Sequence, residues 1–176
     1  KYCEVIEKHS PKLASLYRNC YPNTLETATE FLDDGSIFVL TGDIPAMWLR
    51  DSTAEVSHYI PLAKDNKDIS DIIEGVIRKQ RKYIEIEPYA NAFKREPDSH
   101  EEFDDYPKNN PIVWERKYEI DSLCYPIRLT YLYWKATGDN SILDESFLNS
   151  VKTTVSLWRT EQHHFEKSPY RFTRKN

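Results

Sequence analysis

The stretch DISDIIEGVIRKQRKYIEI, residues 68 to 86, repeats Ile69, Ile72, Ile73, Val76, Ile77, Gln80, Tyr83 and Ile84 at three- and four-residue steps. That spacing places the stripe on one face of a helix, and Pro88 marks where the helix must stop. A helix so long cannot bury its stripe alone, so most of the chain has to be organised around it. The segment YEIDSLCYPIRLTYLYWKATGD, residues 118 to 139, supplies a second face through Ile120, Leu123, Cys124, Ile127, Tyr131 and Trp134, with Gly138 placed to end it. Pro126 interrupts this pattern and predicts either a start near Tyr125 or a kink.

Two further helices follow from the same reasoning. Ser10 and Pro11 make an N-cap and first-turn pair ahead of Leu13, Leu16, Tyr17 and Cys20, and Pro22 closes that run. Phe147, Leu148, Val151, Val155 and Trp158 predict a last helix, capped from Asn140 or Ser141. GSIFVLTGD, residues 35 to 43, is β-branched and aromatic between two glycines and reads as a short strand. The tail SPYRFTRKN is briefly β-like. Residues 88 to 114 keep no period, and so long a connection in a compact domain is often functional. The order predicts an all-α fold of the toroid or bundle kind, with one short strand or hairpin ahead of its first inner helix.

A chain of 176 residues has room for one substantial domain. Its net charge of −5, with both signs interspersed, leaves no basic stripe for nucleic acid. Cys3, Cys20 and Cys124 are too scattered for a disulfide framework or a zinc motif, which predicts buried free thiols in a reducing cytoplasm. No apolar run reaches the roughly 18 residues of a membrane span.

In TGDIPAMWLRDSTAEV, residues 41 to 56, Trp48, Arg50 and Asp51 crowd the junction between strand and helix. Singly, each has an ordinary explanation: Trp48 as core, Arg50 as an ion-pair partner, and Asp51 or Ser52 as a helix cap. Together they match the needs of a sugar site. A pyranose offers a C–H face to an aromatic ring, and vicinal hydroxyls to a guanidinium and a carboxylate.

FVLTGDIPAMWLRDSTAEV, PYANAF and VWERKYEIDSLCYPI, in that order and spacing, resemble glycoside hydrolase family 125, and the weaker LWRTEQHHFEKSPYRFTR extends the likeness along the chain. The resemblance implies a six-hairpin α/α toroid that removes terminal mannose from α-1,6 linkages with inversion. No metal or other cofactor is implied, and the partner would be a mannose-containing oligosaccharide, as in bacterial N-glycan degradation. By position, Trp48, Arg50 and Asp51 would line the pocket. Asn91 would meet sugar hydroxyls and Phe93 would shape the wall, while Trp114, Glu115 and Asp121 would stand at the head of the next inner helix. For Asp121 an ion pair with Lys117, four residues earlier, is an equally sufficient role.

Members of that family look more than twice as long as this chain. Residues 1–176 are therefore expected to be the N-terminal part of a single toroid domain, holding part of the sugar pocket, with the catalytic acid and base beyond Asn176 and the chain alone inactive. None of Asp51, Glu115 and Asp121 is assigned as acid or base. His100, Glu101, Glu102, Asp104 and Asp105 are metal-ligand types in close sequence, but they lack ligand spacing and read as a solvated acidic loop. His163 and His164 read as surface or second-layer residues. The alternative to an enzyme is a non-catalytic helical module that binds glycan or protein.

Overall fold

A computed structural model describes residues 2–99, the backbone of 105–106, and residues 110–174. The chain is mostly helical. In order it forms α1 (Tyr2–His9), α2 (Pro11–Cys20), β1 (Thr29–Phe31), β2 (Ile37–Val39), β3 (Met47–Trp48), α3 (Leu49–Ser57), α4 (Ile60–Ala63), α5 (Lys67–Ile86) and β4 (Ala92–Phe93). It continues with β5 (Asp105–Tyr106), β6 (Val113–Glu115), α6 (Ile120–Thr137), α7 (Glu145–Glu161), α8 (His164–Lys167) and β7 (Thr173–Arg174).

The long periodic segment is α5, and it sits at the centre of the packing. Ile73, Val76, Ile77, Tyr83 and Ile84 are buried along it, and α3, α6, α7 and β2 all pack on it. Gln80 shares the buried face for a polar reason. Its Nε2 lies 3.2 Å from the Leu49 carbonyl and 2.9 Å from both Ser52 Oγ and Thr53 Oγ1, tying α5 to the first turns of α3. Gly75 marks where β2 crosses α5. A Cβ there would stand 2.6 Å from Ile37 Cγ1 and 3.1 Å from its Cβ, so relief requires more than the tip of a flexible side chain to move. Gly75→Ala is expected to destabilise the fold by about 1–2 kcal/mol: overpacking costs about 1–3 and the helix regains about 1 at most. Denaturant unfolding reads this directly, and an unchanged midpoint would mean that β2 can retreat freely.

Caps follow the chemistry of helix ends, not always at the expected residue. Ser10 accepts from the Leu13 N–H at 3.3 Å, as its sequence position predicts. The cap of α7 is Asp144, accepting from the Phe147 N–H at 2.8 Å; Asn140 and Ser141 instead lie in a separate 3₁₀ turn capped by Asp139. Neither Asp51 nor Ser52 caps α3. The helix begins earlier, at Leu49, whose N–H donates to the Asn91 carbonyl at 3.1 Å, so a neighbouring strand supplies what a cap side chain would have. Similarly, α6 starts at Ile120 rather than near Tyr125 and runs through the buried Pro126, held by its contact with α3. Gly138 ends it in the left-handed region with φ 74°.

β3, β4 and β6 form a small antiparallel sheet with Met47 opposite Phe93, Trp48 opposite Ala92, and Ala92 opposite Glu115. This sheet gathers the heads of α3 and α6 onto one side of the molecule. Cys20 and Cys124 are exposed and Cys3 is partly buried; all three are free thiols, but not the buried ones expected, because each lies on or near an outward helix face. Among the described residues no helix is long and apolar enough to cross a membrane.

Candidate functional site

β3 delivers Trp48 directly into the first turn of α3, so Arg50 and Asp51 project beside the indole from a rigid element. Facing them is the loop after β2. Thr41 Oγ1 donates to the Ala46 carbonyl at 2.9 Å and accepts the Trp48 N–H at 3.2 Å, which pins the base of the loop to β3. Gly42, at φ 73°, lets the chain turn away there. The result is a cleft of ≈ 380 Å³ lined by Thr41, Gly42, Ile44, Trp48, Arg50, Asp51 and Glu55. That volume is at the low end for a small-molecule site.

The guanidinium of Arg50 is held from two helices. Its Nη1 donates to Asp121 Oδ2 at 3.0 Å, its Nη2 to Asp51 Oδ2 at 3.2 Å, and Glu119 Oε2 lies 3.8 Å from Nη1. The bond to Asp121 comes first among the causes that raise the Arg50 pKa above the ordinary arginine value, followed by the charges of Asp51, Asp121 and Glu119 against a burial penalty. Asp121 thus answers Arg50, 71 residues away, and not Lys117, which reaches Glu119 at 3.6 Å. Arg50, Asp51 and Asp121 keep 39–40% of their side-chain surface exposed, so the cluster is ordered yet open to a ligand.

Asn91, Phe93, Trp114, Glu115 and Asp121 are not among the residues lining this cleft, and Asp121 meets it only through Arg50. Asn91 is buried and its Nδ2 donates to Glu115 Oε2 at 2.7 Å, while Arg174 Nη1 lies 3.0 Å from Glu115 Oε1. These groups lock β4, β6 and the C-terminal β7 together behind the site. Phe93 is fully buried, its ring stacked on Tyr83 at 4.3 Å. Trp114 is partly buried in β6.

Thr41, Glu55 and Glu119 belong to the neighbourhood but were not singled out by sequence. For Glu55 the signal was present, since it follows Asp51 by four residues on the same helix. For Thr41 no signal marked it beyond its place in the strand-to-turn segment. His100, Glu101, Glu102 and Asp104, weighed as metal-ligand types, lie outside the described residues, as does the side chain of Asp105. His163 is exposed, and partly buried His164 sits 2.7 Å from Glu161 Oε2, away from the cleft.

The family of metal-independent α-mannosidases (GH125) matches residues 10–176. A meiotically up-regulated gene 157 protein of Schizosaccharomyces pombe is 37% identical over 157 residues, covering 82% of this chain and 31% of that protein. A solved structure from Streptococcus pneumoniae, of a metal-independent α-mannosidase in a non-productive complex with α-1,6-mannobiose, superposes with a TM-score of 0.92 at 43% identity. It covers 99% of this chain, which in turn spans 42% of that one.

Proposed function

The chain belongs to glycoside hydrolase family 125, the metal-independent α-mannosidases, and on that premise we propose that it forms the N-terminal part of an α/α-toroid domain that releases terminal mannose from α-1,6 linkages with inversion. Residues 1–176 supply part of the pocket for the terminal sugar. Trp48 offers its ring to the C–H face, Arg50 and Asp51 hold vicinal hydroxyls, and Asp121 fixes the plane of the Arg50 fork. Asn91 and Glu115 brace the small sheet that aims these groups.

One observation carries the reading: an indole and a guanidinium, the latter clamped by carboxylates from two helices, share a cleft of one-sugar size. The α-1,6-mannobiose bound to the similar Streptococcus pneumoniae protein supports the choice of ligand. Inversion requires a carboxylic acid and a carboxylate roughly 6.5–9.5 Å apart across the bond. Asp51 and Asp121 instead converge on one cation, and it is the likeness to the longer family members that assigns the acid and base to polypeptide outside residues 1–176. The free thiols suit a reducing, cytoplasmic setting.

Titrating α-1,6-mannobiose into the chain by calorimetry or ligand-detected NMR, beside a hydrolysis assay, tests both halves. Binding without mannose release is expected. Turnover by these 176 residues would place the acid and base within them. A folded chain that binds nothing would remove the sugar pocket and favour a purely structural or protein-binding role.

A further inference from the structure

We infer that Glu55 is a sugar-contacting, specificity-determining residue of this cleft, its carboxylate accepting hydroxyl hydrogen bonds from the same ring that Arg50 and Asp51 orient. The inference rests on the reading of the cleft as a mannose pocket and adds a residue to it.

Glu55 follows Asp51 by four residues on α3, about 6 Å along the helix axis at 1.5 Å per residue. Both line the cleft, whereas Ser52, Thr53 and Val56 turn to the buried side. The other charged groups gathered here are matched: Arg50 with Asp51 and Asp121, and Lys117 with Glu119. Glu55, partly buried, has no hydrogen-bond or ion-pair partner among the described residues.

An ionised carboxylate can only accept, so burial without donors is unfavourable, and a like charge one helical turn away adds to the cost. Burial first, and then the Asp51 charge, push the Glu55 carboxyl above the ordinary glutamate range. A residue that local physics disfavours, retained on a cleft wall, is the pattern of a functional position. What would satisfy it is a neutral ligand rich in O–H donors. A pyranose answers both carboxylates at once, meeting Asp51 with one edge and Glu55 with the next, while Arg50 accommodates the ring's acceptor oxygens. Because a site built to bond a hydroxyl rejects analogues lacking it, Glu55 would discriminate among hexoses by a single hydroxyl.

The signs of two effects distinguish this role from a structural one. A raised carboxyl pKa means the folded state holds the proton more tightly than the unfolded chain, so this group's contribution is present at low pH and lost as pH rises through the folded value. At neutral pH the ionised group therefore weakens the fold. Glu55→Gln at pH 7 is expected to raise the melting temperature while lowering affinity for α-1,6-mannobiose about tenfold or more. A melting temperature that falls would mark Glu55 as structural and overturn the inference. Wild-type binding with an equal affinity in Glu55→Gln and Glu55→Ala would overturn it and leave the mannose pocket standing. No binding by the folded wild type would remove the pocket itself, and Glu55's role with it.

Discussion

Arg50→Ala is expected to abolish most sugar affinity while leaving the fold nearly as stable as before. The guanidinium bonds Asp121 at 3.0 Å and Asp51 at 3.2 Å, with Glu119 at 3.8 Å. Those bonds use part of its five N–H donors and hold the planar fork in one orientation for a ligand. Losing a charge-assisted contact in the cleft costs about 2 kcal/mol or more, or roughly 30-fold in the α-1,6-mannobiose dissociation constant. A second effect compounds it: without the cation, Asp51, Asp121 and Glu119 repel one another, and Asp51 loses the partner that orients it.

Stability should respond far less. The three principal side chains are about two-fifths exposed, and ion pairs so accessible are screened, contributing ~1 kcal/mol or less. Arg50→Lys should restore little affinity, because an ammonium keeps the charge but not the fork. Calorimetric titration beside a thermal melt separates the two quantities. A folded Arg50→Ala protein with unchanged affinity would take Arg50 out of the site.

The helices were readable in the sequence wherever an apolar stripe ran for several turns, as in α2, α5, α6 and α7, of which α6 meets the site through Asp121. β3, β4 and β6 were not, because strands of two or three residues are too short to show an alternating period. Yet they bring Trp48, Asn91 and Glu115 to one place. Sequence proximity also misdirected the pairing of Asp121: Lys117 is the local candidate, but the partner is Arg50, brought there by α3 packing on α6. The cap of α3 failed to appear for a related reason, since the Asn91 carbonyl across the sheet accepts the Leu49 N–H that a side chain need not then address. The crowding of Trp48, Arg50 and Asp51 was a local signal, and all three line the cleft. Glu55 was equally local, but an acidic residue on a helix reads as solvated until a cleft is known to enclose it.

Phe93→Ala is expected to act in the opposite sense to Arg50→Ala, costing stability rather than contacts. Phe93 has no exposed surface, and its ring lies nearly parallel to that of Tyr83, at 6° and 4.3 Å. Tyr83 is itself fixed, its hydroxyl donating to the Lys94 carbonyl at 2.7 Å, and burial pushes its pKa up. Truncation would leave a cavity bounded by Met47, Val113 and Tyr83, and such changes cost about 3–5 kcal/mol, a large part of the 5–15 that holds a typical domain. Phe93→Leu should recover much of it. A residue forming the sugar-facing wall would behave differently, losing affinity at constant melting temperature. The cost is also transmitted, because β4 pairs with β3 and Asn91, the residue just before β4, accepts the Leu49 N–H, so loosening Phe93 frees the head of α3. Denaturant unfolding should therefore show a large drop in midpoint, with affinity per folded molecule falling only modestly. A loss below about 1 kcal/mol would mean that the small sheet is not anchored through this ring.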